Sequence, residues 1–213
     1  MKSDITIFQK LKATQLIEGI SISIQNSQSL YEMANLSRLK GNFGLAKSLF
    51  ILSCEESIKA FALYNTFLFD DNRDISLIFR NHTEKLTILK EGYHLMKSDT
   101  KAMKKAFEQA FTELPNEEDR IVEIRARELY QKYFHEILNQ TDNETINADR
   151  DWWNNANKNK QKGFYVGFED GVWQDPLKTK EMEATDAGEK ALFILGHVQA
   201  YKDLDETEYK SRK

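Results

Sequence analysis

Only two prolines, Pro115 and Pro176, interrupt this chain of 213 residues, and glycine occurs nine times. Proline and glycine most often end helices, so their scarcity favours long, uninterrupted helices. With 40% hydrophobic residues, the chain can bury a core of substantial size within one domain. We therefore predict an all-α helical bundle, a single domain over residues 1–213, in which residues 139–178 form a helix plus β-hairpin insertion.

The clearest helical pattern lies between Ile75 and Met96, where apolar residues recur at steps of three and four. His82 falls on this seam, which predicts that it faces the core or a partner. The sequence "KGNFG" separates the first two helices, which should form an antiparallel hairpin. The predicted helices span residues 8–40, 45–69, 75–96, 100–114, from "NEED" to 138, a segment around Trp152 and Trp153, and 179–204.

One segment departs from helical periodicity. The sequence "GFYVGFEDGVW" is rich in aromatic and β-branched residues around the turn signal "EDG", so it predicts a β-hairpin over residues 163–173. A lone two-stranded hairpin is only marginally stable in water. We therefore expect Tyr165 and Trp173 to anchor it to the helices.

The charge balance narrows the functional classes. Thirty Lys and Arg against 34 Asp and Glu give a net charge of −4, which argues against a broad basic platform for nucleic acid. The first residues lack the apolar core of a secretory signal, and the apolar stretch 48–69 carries three charges near its centre. We therefore expect a cytoplasmic protein without a membrane partner. Phosphate-cradling glycine loops and metal-binding histidine spacings do not occur in the sequence, so neither a cofactor nor a metal is expected.

The sequence "SCEESIKAF" places Glu55, Glu56 and Lys59 in the most apolar stretch of the chain. On a helix both acids lie within about one turn of the lysine, so one interpretation is a self-satisfied ion pair that fixes helix register. The other is that two carboxylates exceed one lysine and draw a further cation, Arg80 or Lys85, from the next helix into a binding or catalytic site. We expect Glu56 to be the acid that points into the core.

Three stretches of the chain resemble the AbiV family of bacterial abortive-infection proteins, which belongs with the HEPN-like helical bundles. They are "GNFGLAKSLFILSCEESIKAF", "IFRNHTEKL" and "KGFYVGFEDGVWQDP", and they span roughly residues 41 to 177. The resemblance implies an all-α, HEPN-like bundle with a hairpin insertion. It also implies a role in stopping phage multiplication by shutting down the infected cell.

Ribonucleases among HEPN proteins usually carry an arginine, a polar residue, and a histidine four to six residues from the arginine. Here Arg80 and Asn81 match the first half, but "KLT" occupies the positions for the histidine, and His82 comes too early. We take Arg80, Asn81 and His82 as candidate catalytic residues, with His82 as a general acid or base near neutral pH. Because the motif is incomplete, ribonuclease activity stays open.

Three alternating lysines, Lys158, Lys160 and Lys162, lie close in sequence to Tyr165 and Trp173. Lysines neutralise phosphates and aromatic rings stack on bases, so this segment is a candidate contact for RNA, the ribosome or a protein partner. The alternative is a solvated helix face leading into an aromatic-anchored hairpin.

Two functions from different classes fit these observations. The first is an effector that shuts down the infected cell by acting on translation or RNA after a phage component triggers it. The second is a non-enzymatic helical dimer that binds a phage or host protein and blocks its function. A phage-encoded protein is thus the expected activator or target. A homodimer is expected because the apolar residues of helix 45–69 occupy more faces than one neighbouring helix can cover.

Overall fold

A computed structural model describes residues 11–69, 75–199 and 201–202 of the chain. Its two short strands form an antiparallel sheet between the last two α-helices and are followed by a 3-10 helix, Pro176–Lys178. The prediction of an all-α fold with one small hairpin is confirmed. In chain order the elements are α1 (Ala13–Leu39), α2 (Phe43–Phe69), α3 (Ser76–Arg80), α4 (His82–Glu113), α5 (Asp119–Gln140), α6 (Asn143–Phe164), β1 (Gly167–Glu169), β2 (Val172–Gln174) and α7 (Glu181–Gln199).

The helix boundaries differ from the predicted ones around α4. The segments predicted as separate helices, 75–96 and 100–114, continue as one helix through Glu113, because neither proline nor glycine lies between them. The chain is interrupted instead at Asn81, whose extended backbone (φ −119°, ψ 116°) separates α3 from α4. Residues 8–10 and 203–204, at the predicted ends of the first and last helices, lie outside the described residues.

The chain divides into two compact units, of which the first is formed by Met1–Thr87 with Asn155–Lys213. Among its described residues, α1, α2 and α7 pack around a common core. Only three residues connect α1 to α2, so these helices run antiparallel, as predicted. The buried core includes Leu16, Ile20, Ile24, Ala60, Leu63, Phe67, Leu195 and Val198.

Buried serines fix the register between α1 and α2. Ser27 Oγ lies 2.9 Å from Ser53 Oγ and 2.7 Å from Ser57 Oγ, and Ser53 Oγ donates to the Ser27 carbonyl at 2.9 Å. These contacts satisfy hydroxyls that would otherwise be costly to bury. Because successive helical residues are about 100° apart, Glu55, two residues beyond Ser53, points away from α1.

The second unit, Ile88–Asn154, contains most of α4, all of α5 and the first half of α6. Small residues of α4, Ala102, Ala106 and Ala110, pack in one core cluster with Val122 and Ala126 of α5. All the candidate site residues named from the sequence belong to the first unit. The expectation that the whole chain is a single domain stays a prediction.

The hairpin turns at Asp170 and Gly171, whose φ angles of 51° and 79° are both positive. Two positive φ angles in a two-residue loop are typical of a type I′ turn, which suits the twist of the paired strands. The predicted turn is therefore confirmed. The strands are shorter than predicted, because α6 continues through Phe164 and β1 begins at Gly167.

The prediction that Tyr165 and Trp173 anchor the hairpin is wrong, because each is 68% exposed. The hairpin is tied to α6 instead by Glu169, which pairs with Lys158 at 2.5 Å and with Lys162 at 3.1 Å. These ion pairs replace the expected aromatic anchor.

None of the helices among the described residues is both long and apolar enough to cross a membrane.

Candidate functional site

The candidate site is built around Glu55, a fully buried carboxylate on α2. An ionised carboxylate in a protein interior is unstable unless cations or hydrogen-bond donors compensate it. Its immediate sequence neighbour, Cys54, is also fully buried, and burial raises the pKa of the Cys54 thiol. Cys54 therefore belongs to the core as a neutral thiol, and Glu55 is the charged group that needs partners.

Two buried lysines from different helices supply the cations. Lys160 Nζ, from α6, lies 2.5 Å from Glu55 Oε1, and Lys85 Nζ, from α4, lies 3.3 Å from Glu55 Oε2. The side chains of Lys160 and Lys85 are only 8% and 4% exposed. Two ammonium groups thus face one carboxylate, so Glu55 is well compensated and the three groups together carry one excess positive charge.

His82, the first residue of α4, completes the site from the solvent side. Its Nδ1 contacts Glu55 Oε2, and the imidazole is 58% exposed. An ionised carboxylate can only accept a hydrogen bond, so this contact places a proton on Nδ1 and leaves Nε2 as the ring nitrogen able to take another. Lys160 Nζ is 3.4 Å from the same Nδ1. The site therefore presents an exposed imidazole whose orientation and tautomer are set from within the core.

Small residues bring α6 close enough to α2 for Lys160 to reach Glu55. A Cβ atom at Gly163 would lie 2.1 Å from Ser48 Oγ and 2.2 Å from the Gly44 carbonyl oxygen, far inside contact distance. Ser48 Oγ also donates to the Lys160 carbonyl at 2.7 Å. The glycine at position 163 thus permits the helix contact that places Lys160 beside Glu55.

Asn81 and Arg80 contribute to this region in different ways. Asn81 Oδ1 accepts from the Thr83 backbone N–H at 2.9 Å, so Asn81 caps α4 and thereby holds His82 in its first turn. Arg80, at the end of α3, is exposed. Of the three residues predicted as catalytic, His82 contacts Glu55, and Asn81 has a structural role as the cap of the helix that carries His82.

The model of the HEPN_AbiV family, described as AbiV, matches residues 15–189. The chain belongs to the AbiV family. This family is one of abortive-infection proteins that act against phage. Neither the curated proteins nor the solved structures gave a significant match.

In this AbiV-family chain, the sequence pattern indicated the wrong acid of the pair. Glu56 was expected to point into the core and meet the next helix, but it pairs with Lys59 on α2, at 2.6 and 2.9 Å, with both side chains partly exposed. Lys59 Nζ also lies 5.7 Å from the Phe79 ring centroid on α3. The self-satisfied pair is thus Glu56 with Lys59, and the acid that draws further cations is Glu55.

The sequence also grouped three lysines that the AbiV-family structure separates. Lys160 is buried against Glu55, whereas Lys158 and Lys162 both pair with Glu169 of the hairpin. They do not form one basic strip. The sequence did carry a signal for this separation, because the lysines occur at every second position. Residues two apart on a helix face nearly opposite directions.

The AbiV-family site offers acid–base chemistry through His82. Among residues 11–69, 75–199 and 201–202, the structure contains no group of three or more His, Cys, Asp and Glu side chains arranged to hold a metal ion. Of the predicted polar cluster, Glu55 and Lys85 come together, whereas Glu56 and Lys59 pair with each other on α2. His82, predicted separately as a catalytic residue, and Lys160 both contact Glu55.

Proposed function

We propose that this AbiV-family chain is an effector that shuts down the infected cell by acting on RNA or the translation apparatus, with His82 as the proton-transfer group. The observation that carries the proposal is the exposed imidazole of His82 held through Nδ1 by the fully buried carboxylate of Glu55. A surface histidine with no functional role has no need of an oriented, desolvated carboxylate behind it.

The chemical argument follows from the tautomer. With the proton on Nδ1 directed to Glu55, Nε2 is available as a base. A ribose 2′-hydroxyl is the proton donor that such a base would meet on RNA. The pairing of an exposed base with a buried orienting acid thus supports a reaction at the surface of a large substrate.

The two buried lysines act on Glu55 rather than on the substrate. Lys85 and Lys160 are too deeply buried to contact a bound phosphate, so their role is to hold the Glu55 carboxylate in position behind His82. The exposed Arg80, two residues before His82, is the side chain we assign to stabilising phosphate charge. A homodimer that brings two such sites together would present each of these groups twice.

The test compares His82→Ala and Glu55→Gln with the parent chain in infected cells, scoring phage plaques, total RNA integrity and incorporation of labelled amino acids. His135→Ala is the matched control, because His135 is another exposed histidine, on α5. We expect His82→Ala to lose protection while His135→Ala keeps it. Full protection by His82→Ala would contradict the proposal.

A second function is favoured by a separate observation, the exposed apolar side chains of the hairpin. They support the alternative of a non-enzymatic helical dimer that binds a phage or host protein and blocks its function. The same infected-cell assay separates the RNA-acting effector from the binding protein. Fragmented RNA in the parent and intact RNA in His82→Ala support a ribonuclease. Intact RNA with halted synthesis in both supports the binding protein.

A further inference from the structure

A cavity of about 520 Å³ lies between the end of α6 and the hairpin. Its volume falls within the range of about 300–1,000 Å³ that is typical of small-molecule sites. The residues that line it all belong to the first compact unit. Among them are cationic, aromatic and amide side chains, and each kind restricts the chemistry of a ligand in its own way.

The cations of this cavity are Lys158 and Lys162, which are both exposed and both pair with Glu169. Two ammonium groups and one carboxylate leave one excess positive charge. An ammonium group carries three hydrogen-bond donors, so each lysine keeps donors for a second acceptor after Glu169 has taken one. The cavity therefore suits a ligand with one small anionic group.

Two aromatic rings, Tyr165 and Phe168, line the same cavity and are 68% and 63% exposed. A planar ring stacked on them would remove this apolar surface from water, which is favourable. The Phe168 ring also packs against Trp173 on the paired strand, with 5.1 Å between the ring centroids. Phe168 is thus positioned before a ligand arrives, and the two rings favour a ligand with a flat aromatic face.

The amide side chains of Gln161 and Gln174 complete the lining. An amide both donates and accepts hydrogen bonds. Nucleobases offer donors and acceptors side by side on their edges, and glutamine pairs with them in protein complexes of nucleic acids. A base joined to a phosphate therefore satisfies all three kinds of side chain.

The local charge favours a single phosphate over a polyanion. Between residues 158 and 178 there are four lysines, of which Lys160 is buried against Glu55. The other three are balanced by three acids, Glu169, Asp170 and Asp175. Single-stranded RNA binds where aromatic rings lie in a positive groove, and a triphosphate would add several negative charges beside these acids. A free mononucleotide fits the near-neutral surroundings better than either.

We propose that this cavity binds a free nucleoside monophosphate, with its base on the two aromatic rings and its phosphate at the two exposed lysines. The site is additional to the acid–base site at His82. Lys160, two residues from each of the exposed lysines, faces Glu55, and residues two apart on a helix face nearly opposite directions. Nucleotide binding and proton transfer at His82 are therefore independently removable.

The first experiment is isothermal titration calorimetry of the full chain with AMP, and with adenosine and inorganic phosphate as the two halves of AMP. We expect AMP to bind about tenfold or more tightly than either half, because only AMP contacts the rings and the lysines together. Binding of AMP no tighter than that of either half would overturn the proposal. Binding confined to a 5′-phosphorylated oligoadenylate would also overturn it, because the ligand would then be RNA.

The second experiment repeats the titrations with two variants, Lys158→Gln and Tyr165→Leu. Both side chains are more than half exposed, so the variants should keep the parent's unfolding midpoint. We expect Lys158→Gln to weaken AMP binding about tenfold without changing adenosine binding, and Tyr165→Leu to weaken both. The matched control is Lys104→Gln, because Lys104 is 77% exposed and pairs with Glu108 on α4, outside the cavity.

Two results of these titrations would refute the proposal. One is an AMP affinity that neither cavity variant changes relative to Lys104→Gln. The other is an equal loss of AMP and adenosine binding in Lys158→Gln, which would mean that Lys158 holds the hairpin rather than the phosphate. His82→Ala should bind AMP like the parent, so failure of the RNA-acting function and failure of this inference give different results.

Discussion

At the residue scale, two adjacent acids on α2 lie in different environments, because successive residues of a helix are rotated by about 100°. Glu55 is completely buried and meets groups from α4 and α6, whereas Glu56 stays partly exposed and pairs within α2. The serines that set α2 against α1 determine which acid turns inward. The two carboxylates should therefore contribute very different amounts to the free energy of unfolding.

We expect Glu55→Gln to lower the free energy of unfolding by about 3–5 kcal/mol, because it leaves Lys85 and Lys160 buried without a counter-charge. Glu56→Gln removes an ion pair within one helix near the surface and should cost at most about 1 kcal/mol. Urea unfolding of both variants at neutral pH measures the difference. Equal losses would mean that the two buried lysines are compensated by something other than Glu55.

At the element scale, the helix contact at Gly163 decides whether the site is assembled. Lys160 lies on α6 one turn before Gly163, and its carbonyl is held by Ser48 of α2. Gly44 is equally confined, since a Cβ there would lie 2.3 Å from the Pro176 carbonyl oxygen. The start of α2 is thus enclosed by α6 and the 3-10 helix, which positions both Lys160 and the hairpin.

We expect Gly163→Ala to destabilise the protein by about 1–3 kcal/mol, because the added Cβ pushes α6 away from α2. It should also reduce antiphage protection, since Lys160 is drawn away from Glu55. Gly92→Ala is the matched control: Gly92 also lies within a helix, but a Cβ there meets nothing within 4 Å. That control should gain up to about 1 kcal/mol from the better helix propensity of alanine. Similar unfolding midpoints for the two variants would show that α6 can move away from α2 at Gly163 without loss of stability.

At the scale of the whole molecule, the second compact unit contributes its own pH dependence. Burial, and then the positive charge of Arg150, lower the pKa of His94 below its usual range, while Asp149 and Glu91 oppose the shift. A histidine with a lowered pKa in the folded state binds a proton less readily there than in the unfolded chain. The folded state therefore loses stability as the pH falls from the unfolded pKa, about 6.5, toward the folded pKa.

We expect the free energy of unfolding to fall between about pH 7.5 and about pH 5, and His94→Gln to remove part of that fall. Urea unfolding of parent and variant at both pH values measures it. A variant with the same pH dependence as the parent would show that His94 titrates normally in the folded state.

We also expect the whole chain to form a homodimer, although one reason given from the sequence no longer applies. Helix α2 was predicted to need a second copy to cover its apolar faces, but α1, α7 and the 3-10 helix pack against it within the chain. The expectation now depends on the resemblance to HEPN-like proteins, which commonly pair. Light scattering at micromolar concentration should give twice the chain mass of 24.9 kDa, and the monomer mass would refute the dimer.

The sequence by itself determined the helical class, the hairpin turn and the family, because these depend on local signals. Sparse proline and glycine allow long helices, and Asp170–Gly171 selects a type I′ turn. The unusual charges in "SCEESIKAF" also marked the stretch that contains the buried carboxylate of Glu55. All of these features depend on residues that are close together in the sequence.

Only the tertiary structure decided that Glu55 rather than Glu56 is buried, that Lys160 joins it, and that Tyr165 and Trp173 stay exposed. Glu55 and Lys160 are 105 residues apart, and their contact depends on the approach of α6 to α2 at Gly163. Helical periodicity gives the direction of a side chain relative to its own helix, but it does not say which helix lies in that direction or how closely. That information lies in the packing of small residues between helices. These small residues meet across the fold and leave no periodic signal in the sequence.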